Sequence, residues 1–301
     1  MRKDTLSINN LTYNNTSPTI NSYFLYTQDR ISNNEETQTT YSNQRQMNNP
    51  STHTFTNSLW DSTSSSTGGG AIYVSGTSSL TLNNCLFLSC KSSSSSSSDW
   101  FGGGAILFIS TGQLSLLSAL FLSCYAVGER GGAIHVRFCG DTSFSNATCV
   151  DCSCSTVGGG LLAEGCHGLA LSNSIFINCR TQIGGACGFY ERYSIFSVSN
   201  CIFGKNSASH SLRGGGAVED NVYDAHYYCI YSYSFFTQNT ADNGNDIAAN
   251  KVTYTSSPIV HCFTTATTNG FCNSGEFQYN WLHSGTQWIF HAIYTSHQQR
   301  H

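Results

Sequence analysis

The sequence predicts an all-β fold, a right-handed parallel β-helix of about six to seven turns, and three registered markers predict it. The first is a glycine pair followed by a small or apolar residue and an aliphatic or cysteine. It stands at Gly69-Gly70, Gly103-Gly104, Gly131-Gly132, Gly159-Gly160, Gly184-Gly185 and Gly215-Gly216, with a decayed copy at 244–247. The second follows each pair by 17 to 21 residues: Phe87, Phe121, Cys149, Phe176, Phe203 and Phe236, each with a Cys or Asn three residues on. Those partners are Cys90, Cys124, Cys152, Cys179, Asn206 and Asn239. The third is a small side chain two residues before each Phe-type position: Cys85, Ala119, Ala147, Ser174, Cys201 and Ser234. Self-similarity at a period of 25 to 34 residues is the signature of a stacked coil.

The elements follow in order. Residues 1–67 are rich in Asn, Ser and Thr and are expected to hold degenerate turns, such as 20–26, or a cap. Residues 68–250 form the repeat domain. Within it, Ala71-Ile72-Tyr73-Val74, Leu80-Thr81-Leu82 and Ser194-Ile195-Phe196-Ser197-Val198 read as short strands bounded by Gly, Ser or Asn. The stretch Leu114 to Leu122 keeps the same register and reads as two strands and a bend. Ser92 to Ser98 is an insertion that accounts for the long 34-residue first spacing. The interval from the Phe motif to the next glycine pair varies from 8 to 16 residues, which confines length change to one corner. Residues 251–301 fit no repeat and are expected to be a cap or a disordered tail.

In such a coil, equivalent residues of successive turns stack about 4.8 Å apart. The glycines suit a corner that needs positive φ or close backbone approach. The aliphatic and Phe columns fill the interior, the small column gives them room, and the Asn/Cys column forms a ladder that caps backbone groups at a bend. Parallel crossovers are nearly always right-handed.

Composition narrows the function. Charged residues are 10% of the chain and the formal net charge is −4, with no Lys/Arg cluster, which disfavours nucleic acid as a partner. No apolar run is long enough for a membrane helix, so no integral membrane segment is expected, and the first residues show no apolar signal-peptide core. None of the glycine pairs is followed by Gly-Lys-Ser/Thr or opens a GxGxxG helix, so they are coil corners rather than phosphate cradles. No cofactor is implied.

Repeated Gly-Gly-Ala-Ile, intact at 69, 103 and 131, alternating with Phe-x-x-Asn, intact at 203–206 and 236–239, resembles the polymorphic outer membrane protein (Pmp) repeat family over about 68–250. The resemblance implies a surface-exposed or secreted β-helical module linked to adhesion, with a host-surface protein or a glycan as partner. Related repeats occur in large protist surface proteins. The chain departs from the bacterial pattern in its Cys content and in the roughly 50 residues after the last repeat, too few for a membrane barrel of ~10-residue strands. The reading is therefore a non-enzymatic surface or structural module that displays loops, such as 91–101 and 204–213, for adhesion or partner binding. The sequence does not set the oligomeric state.

The 14 cysteines leave two readings open. Cys90, Cys124, Cys152 and Cys179 share a column and can be buried thiols or, at a spacing inside the disulfide window, part of an oxidised framework, with Cys262–Cys272 a further pair. Cys149-x-x-Cys152-x-Cys154 with Cys166-His167 has zinc-like spacing, but the repeat already accounts for Cys149 and Cys152.

The alternative function is a carbohydrate-active β-helix enzyme, a polysaccharide lyase or glycoside hydrolase, by analogy with pectin-lyase-like folds. It needs paired acids. The candidates are Glu164, Glu191, Glu219, Asp220, Asp224 and His226. Counting from the glycine pairs puts His135 and Glu219 in an outward column with Tyr73, Leu107, Ala163 and Gly188. It puts Glu164 and Asp220 in the next, inward column with Val74, Phe108, Val136 and Phe189, where the register is expected to slip because an inward carboxylate is costly. Tyr223, Tyr227, Tyr228, Tyr231 and Tyr233 offer a binding face or strand packing. Asn10, Asn14, Asn15 and Asn146 lie in glycosylation sequons.

Overall fold

The computed structural model describes residues 39–48, 52–93, 101–128, 130–190, 196–210, 215–221, 229–232, 234–241 and 247–249, and the backbone of strands at 260–263, 279–284 and 287–292. All regular structure in them is β. The strands stack in parallel into a β-helix with three sheets, of 13, eight and six strands. A separate antiparallel hairpin joins Tyr279–Ser284 to Gln287–Ala292.

Each turn visits the three sheets in order. After the glycine pair comes a strand of the eight-stranded sheet, such as Ile72–Gly76 or Ile134–Arg137. A long strand of the 13-stranded sheet follows, such as Ser79–Leu88 or Asp141–Val150, and then a two-residue strand such as Lys91–Ser92. Registry is continuous: Phe121 pairs with Phe87 and Cys149, and Ile106 with Ile72 and Ile134. The interior is filled by the predicted columns. Phe87 and Phe121 stack with centroids 4.7 Å apart, and Phe203 and Phe236 at 4.8 Å. Both spacings are set by the distance between strands.

The coil starts earlier than the glycine markers. Trp60 occupies the Phe column, stacked on Phe87 at 4.7 Å, and Tyr41 stacks on Trp60 at 4.7 Å. Arg45–Met47 pairs with Ile72–Val74, so the described part of 1–67 contributes strands to all three sheets. At the other end Ile247 pairs with Val218, placing the decayed motif in register, and Val260–Phe263 pairs with Ser234–Thr237.

Two glycine columns meet two different needs. Gly69, Gly103, Gly131, Gly158 and Gly184 have φ between 59° and 70°. Gly70, Gly104, Gly132, Gly159 and Gly185 leave no room for a Cβ. At Gly104 it would lie 2.1 Å from the Gly132 carbonyl oxygen and 2.5 Å from the Tyr125 nitrogen. The fourth pair is therefore Gly158-Gly159, not Gly159-Gly160. Gly160 takes the alanine position, since the N–H of Ala133 donates to the Gly160 carbonyl. This restores an 18-residue interval to Phe176.

Length changes at two corners rather than one. Two to ten residues separate the short strands from the following glycine pair, and a second corner lengthens between Cys187–Tyr190 and Phe196–Ser199 and again between Val218–Asn221 and Cys229–Ser232. Residues 94–100, 211–214, Glu191, Asp224, His226, Tyr223, Tyr227, Tyr228, Tyr233 and the sequons at 10, 14 and 15 lie outside the described residues, as do the side chains of Tyr231, Cys262 and Cys272.

Candidate functional site

The cysteines have a common local cause. Ser62, Ser89, Ser123, Asp151, Asn178, Lys205 and Gln238 all adopt the left-handed region, with φ between 49° and 55°. Each turns the chain sharply, so the next residue points inward at the bend: Thr63, Cys90, Cys124, Cys152, Cys179, Asn206 and Asn239, all buried. A second left-handed column, Asn57, Asn84, Ser118, Asn146, Asn173 and Asn200, precedes the small column. A third, Phe138 and Gly165, precedes Cys139 and Cys166. Eight of the 11 described cysteines thus follow a left-handed residue, and all 11 are buried free thiols.

Thiol and amide do the same work at these bends. Asn206 Nδ2 donates to the Phe176 carbonyl at 3.0 Å, and Asn239 Nδ2 to that of Phe203 at 3.0 Å. Cys124 Sγ donates to the Phe87 carbonyl and Cys152 Sγ to that of Phe121, each at 3.6 Å. Both also accept. Asn206 Oδ1 takes the Cys179 N–H at 2.9 Å, and the backbone of Cys152 hydrogen-bonds the Cys179 sulfur. A sharp bend breaks the ladder locally, and these side chains satisfy the groups left over. Burial pushes the Cys85 thiol up to about 11 and that of Cys201 up to about 12, which keeps both protonated, whereas the adjoining thiols of Cys124 and Cys166 lower Cys90 and Cys139, and Cys152 is lowered against its burial by the thiols stacked on it. Cys149 sits in the Phe column, and Cys154 in the corner column between Ala126 and Thr181. The zinc-like spacing is thereby divided among three separate structural roles.

The one dense charge cluster among the described residues lies on the outer face of the eight-stranded sheet. With the fourth turn in its corrected register, Glu164 pairs with Arg137 and Tyr190 in an outward column. His135 pairs with Leu107 and Leu162, in the column that also holds Gly188 and Glu219. Asp220 does lie in the inward column beside Phe189, without a slip, and is 1% exposed. The outward column is nonetheless covered. The residue before each glycine pair lies over it: a Cβ on Gly68 would come 2.5 Å from Leu107 Cδ2, and one on Gly102 2.8 Å from His135 Nδ1. Leu107, His135, Leu162 and Glu219 are all buried.

Three basic groups converge on Glu164. Arg130 Nη1 donates to Oε1 at 3.2 Å, Arg137 Nε lies 3.4 Å from Oε2, and His135 Nε2 lies 3.5 Å from Oε2. Burial raises the Glu164 carboxyl, but His135 first, then Arg137 and Arg130, outweigh it and hold the group below the usual carboxylate range. Burial also lowers His135 below the ordinary histidine value, against the pull of Glu164. The cluster is thus a neutral imidazole, one carboxylate and two guanidinium groups. Arg137 also lies over the Phe138 ring at 4.6 Å.

This arrangement anchors a carboxylate and does not set two acids across a cleft. Glu219 is two turns from Glu164, about 10 Å along the stack. The space at Gly188 between them is filled, since a Cβ there would meet Val157 Cγ1 at 2.6 Å and Leu162 Cδ1 at 3.1 Å. Asp220 faces the opposite side of the strand. The glycine motif by itself separates Arg137 from Glu164 because it reads the fourth turn from Gly159; the 17-residue interval, one short of the 18 in each of the three turns before it, is the signal of the shift.

Comparison with known protein families, curated proteins and solved structures finds no match to this chain.

Proposed function

We propose that the chain is a non-enzymatic surface or structural module, a stiff coil that presents corner segments to a host-surface protein or a glycan. The observation that carries this reading is the contrast between fixed columns and variable corners. The glycine column is committed to close backbone approach and the Phe and Asn/Cys side chains to stacking and capping, whereas the segment between the short strand and the glycine pair varies from two to ten residues. Scaffolds that hold a rigid frame and vary their loops place recognition in those loops. The Pmp-like motif supports the same reading and, with it, a surface or secreted location. Glu164 supports it from the chemical side, because a carboxylate held low by three basic groups is a poor proton donor.

The test is a combined binding and cleavage screen of the full chain against a panel of polysaccharides and surface proteins. Binding without product release, weakened when residues 93–100 are replaced by a short Asn-Gly turn, is the expected result. Cleavage that disappears in Glu219→Gln or Asp220→Asn would overturn it in favour of a carbohydrate-active enzyme.

A further inference from the structure

The 13-stranded sheet is apolar on both sides over its second half. Inward lie the Phe side chains. Outward, Leu59, Leu86, Leu120, Ile175, Ile202 and Phe235 fall in one registered column of seven strands, interrupted only by Thr148 between Leu120 and Ile175, and beside it Leu88 and Leu122 continue into Val150 and Ile177. Leu86 and Val150 are 7% and 8% exposed and the others half-buried. The stripe carries no charge apart from Asp61 at its N-terminal end. The two left-handed columns border it, Asn84, Ser118, Asn146 and Asn173 on one side and Ser89, Ser123, Asp151 and Asn178 on the other. An apolar floor between polar rims is the anatomy of a protein interface. The first half of the same sheet is different: Thr81, Ser115 and Ser143 face outward there, and Ser143 Oγ bonds Ser115 Oγ at 3.2 Å.

We propose that this stripe is a self-association surface and that its occupant is the same stripe on a second copy of the chain. Period, chemistry and area argue for that occupant. The outward side chains form ridges about 4.8 Å apart, and a face with the same ridge spacing is supplied by another parallel stack, which interdigitates with it when sheets pack about 10 Å apart. The rims are mostly amides and hydroxyls that both donate and accept, with Asp151 and Lys205 adding one charge of each sign, so a two-fold arrangement can oppose compatible groups, as an isologous contact requires. Seven strands give a length of about 29 Å, and the five residue steps between the rims a width of about 17 Å. That is about 500 Å² per copy and about 1,000 Å² for a pair, the lower limit of a specific interface. The association is therefore weak and concentration-dependent rather than obligate.

The experiment is sedimentation velocity of the full chain under reducing conditions from about 1 to 200 μM. The expected result is a mass rising from the 32.7 kDa monomer toward twice that value. Leu120→Asp combined with Ile175→Asp should weaken association at least tenfold while leaving a cooperative thermal transition, because both side chains are half-buried on the outer face of the sheet rather than in the core. Ser143→Asp, on the hydroxyl half, should leave association unchanged. A wild-type chain that stays monomeric throughout overturns the proposal, and so does association that survives the double variant. Should the double variant fail to fold, Ile202→Arg serves in its place; loss of folding in both means that the chain's own residues cover the stripe and also overturns it. None of these results bears on whether the loops bind a glycan.

Discussion

The amide of Asn206 accepts the backbone N–H of Cys179 at 2.9 Å, and with that contact a ladder of thiols becomes a ladder of amides without a change in its geometry. Cys179 donates to the Cys149 carbonyl one turn below, as Asn206 donates to that of Phe176. The interchange of Cys and Asn in the repeat is thus a substitution of one buried donor–acceptor for another. The thiol makes the weaker bonds and brings less polarity into the core.

Asn206→Ala should therefore cost about 2–4 kcal/mol in urea unfolding, because it leaves the Phe176 carbonyl and the Cys179 N–H buried without partners. Asn206→Cys should restore most of that loss. Equal destabilisation by the two variants would refute the equivalence.

The glycine columns predict opposite outcomes for neighbouring substitutions. Gly159→Ala places a Cβ 2.3 Å from the Gly185 carbonyl oxygen and should cost well over 3 kcal/mol or prevent folding. Gly160→Ala meets the Phe176 ring edge at 2.9 Å in a position where other turns carry alanine, and should cost no more than about 1 kcal/mol. Thermal midpoints of the two variants check the register of the fourth turn directly.

Buried thiols make the fold sensitive to alkali. The folded-state values of Cys85 and Cys201 are raised from 9.0, to about 11 and about 12. Between those limits the unfolded chain binds fewer protons than the native one, so stability is full below pH 9 and falls as pH rises above it. The 11 described thiols, all buried, should also resist a disulfide-exchange reagent at pH 8 that modifies them after denaturation. Fast labelling of all 11 without unfolding would be the contrary result.

Acid acts through the charge cluster with the opposite sign. His135 and Glu164 both have folded-state values below their unfolded ones. Stability is therefore present above the ordinary histidine value and declines as pH falls through that range and then through the carboxylate range. Glu164→Gln should cost about 3–5 kcal/mol at neutral pH by removing the counter-charge of buried Arg137. His135→Leu, matching Leu107 and Leu162 in the same column, should be near neutral and should flatten the histidine part of the pH profile.

The sequence by itself determined the repeat, the parallel coil and the interior columns, because each marker is a local requirement met again in every turn: positive φ at Gly103, a ring at Phe121, a donor at Asn206. It hid the turn holding Trp60, because Ser42-Asn43 stands where the other turns carry glycine. Only the tertiary structure decided what depends on contacts between turns. A one-residue register shift, invisible to a motif that reads Gly-Gly in either frame of a glycine triplet, moves Glu164 from the inward column to the outward one beside Arg137. Likewise, the pre-glycine residues fold over the outer face and bury His135, which strand alternation alone assigns to solvent. Alternation fixes the side of the sheet that a side chain takes, and what lies over that side is set by parts of the chain remote from it.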